Sequence, residues 1–482
     1  MSEIGALRAL LATAAARTPE AAAVRTRVGD GWETWSWSRL HESALAAAGR
    51  ARALLDGWPL AIVVVDSTAA CVAGLLGLLL ADVRVLPVER DSSYLLDARS
   101  AVRRAGAAAV VGPAGTAAPA PMRLVGLADL VDGASPDAGG EPALEGDPDV
   151  LQLTSGSTGE PRIAVQSLGA VLRGGRIYRD RYRLSPADEV LVSVPLAHSF
   201  GLIGGMAAAL VAGASLLTLE RFSLSGVQAG LDAGATVLLG TPMVYELVGS
   251  ALPRAAGRTI RTALSSGGAL SRRTRERASA SLGCAVHQIY GSTEMGLVAS
   301  QFDRPAPWPD DCAGLAGPGV TWRVEPGGPG EAGAGRLLVR TSTMFRGYAQ
   351  GAGAGTFVDG FYDTGDRAHV DGAGHLFIDG RKATFINVGG RKVNPERVER
   401  LIGEHPLVRE VAVYGMEAGD AEEVHAAVVP AAALAVEDLL EWCRSRLSPY
   451  EVPHRVRLLE DLPRTGLGKV DRRGLAAAEL RA

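Results

Sequence analysis

The sequence predicts an α/β fold: a large N-terminal domain of layered sheets and helices, followed by a small mobile α+β C-terminal domain. Three observations carry this expectation. The chain has 482 residues, beyond the size at which a single hydrophobic core keeps growing. Between residues 60 and 250, β-rich apolar runs alternate with helical stretches, the pattern of layers around largely parallel strands. After about Gly380 the texture changes to a compact mixture of helices and strands, the size of a typical small domain.

The elements follow in order. LAIVVVDS reads as a buried strand, TAACVAGLLGLLLAD as a helix and VRVLPVE as the next strand. Asp132 to Asp149 is rich in Gly, Pro and acids and reads as a surface connection before the strand DVLQLT. EVLVSVPL, a helix from about Leu202, ASLLTL and ATVLLGTP continue the alternation. Pro326 to Gly335 and Gln350 to Gly355 are loose segments flanking RLLVRTSTMFRGY, which suggests short β-hairpins. Beyond them VNPERVERLIGEHP reads as a helix, EVAVYGM and HAAVVP as strands, VEDLLEWCRSRL as a helix and HRVRLLEDL as a strand. The boundary is expected at Asp379 to Ala383, giving a large domain over 1–380, a hinge over 381–383 and a lid over 384–482.

Bulk properties exclude several classes. A formal charge of -4 and a pI near 6.1 leave no basic footprint for nucleic acid. Cys71, Cys284, Cys312 and Cys443 lie far apart without metal-ligand spacing, as expected of reduced thiols in a cytoplasmic protein. Cys71 to Ala81 is too short to cross a membrane. Gly201 to Leu219 is long enough, but its glycines and the lack of a flanking basic cluster point to a buried helix leading into a strand. The first residues carry an acid and lack a signal-peptide core. Only Lys382, Lys392 and Lys469 are lysines among 49 basic residues, so they mark places where a planar guanidinium is a poor substitute.

Five segments suggest chemistry. In TSGSTGEPR, Ser155, Gly156, Ser157, Thr158 and Gly159 follow a strand ending at Thr154 and offer N–H groups and hydroxyls to an anion. An ordinary polar hairpin loop reads the same way. The stretch is not the GxxxxGK[ST] motif, and its cation, Arg162, follows a proline. In HQIYGSTEMG, Tyr290 offers a face for an adenine and Glu294 a carboxylate for Mg²⁺; a strand with a packed tyrosine before a polar turn is the alternative. In GFYDTGDRAHV, Asp366 either accepts from ribose hydroxyls or forms a plain Asx-turn. Arg381, Lys382, Arg391 and Lys392 surround Gly389 and Gly390, and Lys469 sits on a Gly/Thr loop; both also read as solvated basic loops.

In this order and spacing the five segments resemble the adenylate-forming superfamily: acyl- and aryl-CoA synthetases, adenylation domains of peptide synthetases, and beetle luciferases. The resemblance runs from RTPEAAAV to GKVDRR. It implies that ATP and Mg²⁺ activate a small carboxylic acid as an acyl-adenylate, releasing pyrophosphate, before transfer to CoA. It implies that Thr154 to Gly159 wrap the β- and γ-phosphates, with Arg162 where the family usually has lysine. Gly268, Ala269 and Leu270 would border the adenine, Leu270 replacing a usual proline. Tyr290 would stack on it, followed by Gly291 and Ser292; Thr293 would touch the α-phosphate and Glu294 hold Mg²⁺. Asp366 and Arg381 would bind the ribose beside Ile378, and Lys469 would bridge the α-phosphate and the acid.

For the acid, His198 matches the histidine of a PxxH segment in CoA synthetases. Ser199 stands where domains for α-amino acids usually place an aspartate, which argues against an α-amino acid. Gly201, Gly204 and Gly205 are expected to leave room for an aryl or medium-length acyl group. Gly240, Thr241, Pro242, Tyr245 and Gly267 are further lining candidates, and Gly389 to Lys392 would flank the thiol arm. No carrier module follows Lys469, so a freestanding CoA ligase is expected. Loading of carrier-protein phosphopantetheine, an unusual acceptor, a non-carboxylate anion and a luciferase-like oxygenase share the same ATP motifs. Ala383 departs from the Asp or Lys usual at the hinge of CoA ligases, which puts the second half-reaction in question.

Overall fold

The computed structural model describes residues 2–55, 57, 59–90, 92–96, 100–132, 146–154, 162–253, 259–302, 307–326, 334–349, 357–381, 386–388, 391–418, 421–447, 449–464 and 469–480. The chain forms two compact units. The first comprises Met1–Trp322, Val339–Tyr362 and Gly374–Leu376; the second comprises Arg323–Leu338, Asp363–Ala373 and Phe377–Ala482. The expected hinge residues Lys382 and Ala383 lie outside the described residues.

The first unit contains a seven-stranded sheet ordered Gly347–Tyr348, Arg162–Ser167, Asp149–Thr154, Arg84–Glu89, Leu60–Val65, Ala109–Gly112, Arg123–Gly126. Its last five strands pair in parallel, as the alternating pattern predicts. Every residue of Leu60–Val65 is buried, which fits a parallel strand covered on both faces. Helix Ala69–Leu80 carries the crossover to Arg84–Glu89, and Thr68 caps it by accepting from the Cys71 N–H at 3.2 Å. A Cβ on Gly77 would stand 2.5 Å from the Ala47 Cβ, so a glycine is required where this helix meets Trp37–Leu55.

A second set of parallel strands runs Val286–Ser292, Thr262–Ser265, Val237–Gly240, Glu189–Val192, Ser215–Leu219, Ala22–Val28. Gly31–Ser36 joins the last of these antiparallel. The apolar run from Gly201 is a π-helix, Phe200–Ala207, that passes into helix Ala208–Ala212 and then strand Ser215–Leu219. All three are buried from Gly201 onward, except the glycine turn between them, so the sequence reading of a buried helix entering a strand holds. Among the described residues no helix is long and apolar enough to cross a membrane.

The second unit is organised on strands Val408–Ala418, Ala421–Pro430 and Arg455–Leu458. Val398 and Ile402 of helix Pro395–Gly403 and Leu439 of helix Val436–Arg444 pack on one set of strand residues, including Val413 and Val428. Leu475 of helix Arg472–Glu479 packs on the alternate set, Tyr414, Met416 and Val429. Asn394 caps the first of these helices and Pro395 opens it, the expected start signal. None of the four cysteines is in a disulfide; burial pushes the Cys71 thiol up to about 12 and the Cys443 thiol up to about 11.

Candidate active site

Ligands of open parallel sheets collect beyond the carboxyl ends of the strands. In the first unit Val237–Gly240, Thr262–Ser265 and Val286–Ser292 are adjacent and parallel, so Thr241, the segment Ser265–Leu270 and Tyr290–Thr293 emerge side by side. Local bonds hold them there. Ser266 N–H donates to the Gly240 carbonyl at 3.2 Å, and Leu270 N–H donates to Gln288 Oε1 at 3.2 Å. Gly267 has φ +93, a left-handed conformation suited to glycine. Leu270 itself is buried in an apolar cluster with Tyr245. The Tyr245 hydroxyl donates inward, to the Leu238 and Leu264 carbonyls, so it supports the strands rather than lining a pocket.

Tyr290 is half-buried on its strand, opposite Ala299. A bulge separates it from Gly291, where a Cβ would approach the Gly296 carbonyl oxygen to 2.2 Å. The GSTEMG turn is therefore tight. Inside it the Ser292 hydroxyl accepts from the Glu294 N–H at 3.2 Å, and Thr293 is half-buried.

Glu294 is 7% exposed, and its Oε1 accepts from the Tyr348 hydroxyl at 2.8 Å. Tyr348 also meets the Tyr362 hydroxyl at 3.0 Å. Burial, then the Glu294 carboxylate, push the Tyr348 phenol far up, so it stays a neutral donor. The Arg162 guanidinium lies over the Tyr348 ring, 4.1 Å from its centroid, and its buried Nε has no hydrogen-bond partner among the described residues. Thr154 and Arg162 face each other across antiparallel strands, so TSGSTGEPR is the connection of a hairpin. Ser155 to Gly159 lie outside the described residues.

Toward the other sheet, His198 Nε2 stands 2.9 Å from Glu89 Oε1. His198 follows strand Glu189–Val192, and its carbonyl accepts from the Leu202 N–H at 2.8 Å as the π-helix begins at Phe200, just after Ser199. The neighbouring glycines do not open a pocket. A Cβ on Gly201 would lie 2.4 Å from the Pro195 carbonyl oxygen, and one on Gly205 would lie 2.6 Å from Val192 Cγ2. One on Gly204 would press on Phe200 and Tyr178, each at 3.0 Å. The expectation that these three glycines leave room for substrate is therefore corrected: they permit close packing of the helix.

The family follows from comparison with known proteins. Residues 11–349 match the AMP-binding enzyme family, and residues 397–469 match the AMP-binding enzyme C-terminal domain. The chain belongs to the AMP-binding enzymes. It is 33% identical over 341 residues to the indoleacetate–CoA ligase of Aromatoleum aromaticum, a match covering 67% of this chain and 66% of that protein. It is 28% identical over 370 residues to the malonate–CoA ligase of Arabidopsis thaliana, covering 68% and 60%. The chain thus spans less than two thirds of the length of these relatives. The crystal structure of ATP-bound MatB from Rhodopseudomonas palustris matches over 99% of both chains with TM-score 0.85 and 27% identity.

In this AMP-binding enzyme the second unit carries the remaining expected residues. Asp366 is 4% exposed, and its N–H donates to Thr364 Oγ1 at 2.9 Å, so the turn is stapled by a side chain. Ile378 and Arg381 lie on strand Leu376–Arg381. Arg391 and Lys392 lie on a short strand in register with Val388 and Asn387, while Gly389 and Gly390 are outside the described residues. Lys469 is exposed and immediately precedes the Val470 bridge to Arg464 and helix Arg472–Glu479. That helix is clamped twice. Arg472 donates to both Glu399 oxygens at 2.6 and 2.8 Å, and Glu479 accepts from Tyr414 at 2.6 Å and meets His425 Nδ1 at 3.1 Å. Sequence reasoning missed Tyr348, Glu89 and these clamps. FRGY reads only as part of a segment of short β-hairpins, and nothing local marks its tyrosine as the partner of Glu294.

Proposed function

We propose that the chain is an ATP-dependent acid–thiol ligase that forms an acyl-adenylate and passes the acyl group to CoA. The observation that best supports this is Glu294, a buried carboxylate bonded only by a neutral hydroxyl among the described residues, beside the strand ends that carry Gly268 and Tyr290. A lone hard oxygen donor with spare capacity suits Mg²⁺, which binds through one or two carboxylates and takes its other ligands from phosphates and water. Glu294 would hold the ion, which supplies positive charge to phosphate oxygens when bound. Tyr290 and Gly268 to Leu270 take the adenine, Thr154 to Gly159 with Arg162 the phosphates, Asp366 and Arg381 the ribose.

An oxygen of the acid's carboxylate attacks the α-phosphorus in line. The bond to the β-bridging oxygen breaks, and pyrophosphate leaves with the electron pair. The chain needs no nucleophile of its own; it supplies position and charge. Lys469 neutralises charge at the α-phosphate when the C-terminal lid, hinged at 381–383, closes and excludes water. The CoA sulfur then attacks the acyl carbon and AMP leaves. Gly389 to Lys392 flank the pantetheine arm. Relatives named for indoleacetate and malonate support a carboxylic acid substrate and CoA as acceptor.

The test is acid-dependent ATP–pyrophosphate exchange with a panel of aryl, fatty and short-chain acids. Lys469→Ala is expected to abolish exchange while ATP still binds. Normal exchange in that variant removes Lys469 from its role. Thioester appearing only with carrier protein, and not with CoA, replaces the acceptor.

A further inference from the structure

We propose that Glu89, acting through His198, sets the charge class of the acid: the site takes monoanionic acids and discriminates against those bearing a second anionic group. This rests on the ligase reading above and on the expectation, from the PxxH resemblance, that His198 lies at the acid. Glu89 is the last residue of strand Arg84–Glu89 in one sheet, and His198 follows strand Glu189–Val192 in the other. Their 2.9 Å contact bridges the carboxyl ends of two sets of parallel strands within the first unit, the end where ligands collect. The side chains are 32% and 31% exposed, so the pair is open on one side rather than sealed in the core.

The charges decide what can approach. Nε2 faces a carboxylate, so it carries the proton in either state of the ring. With a neutral imidazole the pair has a charge of minus one; with an imidazolium it has none. It never presents a net positive charge. Arg90, next in sequence, is drawn to Glu220 at 3.6 Å and donates to the Ala114 carbonyl at 3.1 Å. A second carboxylate or a sulfonate on the acid would face Glu89 uncompensated. Like charges a few ångströms apart near a protein surface cost about tenfold or more in affinity. In the neutral ring Nδ1 is an acceptor, and it has no partner among the described residues. The geometry therefore favours a neutral acyl body, and within that class one carrying a hydroxyl, aromatic amine or ring N–H donor.

The experiment compares acids matched in size and differing by one anion, such as 4-methylphenylacetate with 4-carboxyphenylacetate, and hexanoate with adipate. Pyrophosphate release gives kcat/KM for the wild type, Glu89→Gln and Glu89→Asp. The wild type is expected to prefer the monoanion at least tenfold in each pair it turns over. Glu89→Gln should shrink that ratio about tenfold, and Glu89→Asp should keep it. Equal use of dianions by the wild type overturns the inference, and this needs no variant to fold. So does an unchanged ratio in a Glu89→Gln protein whose melting temperature matches wild type. Failure of every acid to release pyrophosphate removes the ligase reading itself, and the inference with it.

Discussion

Glu294 in the first unit and Glu399 and Glu479 in the second are carboxylates in opposite surroundings, Glu294 and Glu479 buried and Glu399 half-buried. Glu399 is saturated by a bidentate arginine and by the Val413 N–H at 2.7 Å. Glu479 is held by Tyr414, His425 and, at 3.2 Å, Arg455. Glu294 accepts from one phenol and, among the described residues, no cation reaches it. The Arg162 guanidinium stacks on the ring of that phenol instead. A carboxylate that is fully paired is spent on the fold. One left with free lone pairs at a strand end is available to a ligand.

The difference can be broken most sharply at Glu294. Glu294→Gln keeps an acceptor for Tyr348 but removes the charge. Adenylation is expected to fall by about 10²–10³-fold, as when a group that stabilises transition-state charge is lost, with little change in melting temperature. A large loss of stability with retained exchange would place Glu294 among the structural carboxylates. Glu399→Ala should do the reverse. It strands Arg472, and because that guanidinium is partly exposed the cost is about 2 kcal/mol rather than the full penalty of a buried charge. Denaturant melts measure it. Exchange per folded molecule should fall only insofar as Lys469, just ahead of the Arg472 helix, loses its mooring.

Glu479 gives a smaller, pH-dependent effect. Burial alone would push its carboxyl up, but bonds from Tyr414 and His425, with the charges of His425 and Arg455, outweigh it, so the folded value lies below the ordinary 4.5. A depressed carboxyl contributes stability that is present above the unfolded value and is lost as pH falls through the folded one. Wild type should therefore lose part of its melting temperature below about pH 4.5, and Glu479→Gln should show a weaker acid-side fall. Identical acid profiles would mean that the cluster of Tyr414, His425 and Arg455 does not depend on that charge.

What the sequence disclosed follows from the range of the interactions. Leu60–Val65 and Ala69–Leu80 were legible because burial on two faces and a capped apolar helix write continuous local patterns. Glu294 was legible because a tight turn needs glycines at fixed offsets, Gly291 and Gly296. Its partner Tyr348 lies 54 residues away, and Glu89 lies 109 residues from His198. Pairs that meet only through sheet topology leave no mark on either local segment. The glycines around Ile203 show the opposite error. They could be read as space, whereas Pro195, Val192 and Tyr178 already fill the positions their side chains would take.

Arg162 tests the finest part of the comparison. The chain uses arginine almost throughout and retains lysine at Lys469, so Lys469→Arg is expected to lose most exchange, because a planar fork cannot take the place of a compact ammonium at one phosphate oxygen. Arg162→Lys should be far milder. A lysine at this hairpin end keeps a positive charge at the proposed phosphate site. It loses the flat stacking on Tyr348, worth about 0.5–1 kcal/mol. It also loses the donor at Nε, which has no partner among the described residues, and so removes a buried polar group at no cost in bonds. The two changes oppose each other, and the expected net is a loss of about twofold to threefold in kcat/KM. A loss as large as that of Lys469→Arg would show that the guanidinium itself orients Tyr348. The phenol bonded to Glu294 would then be an extension of the phosphate site rather than its support.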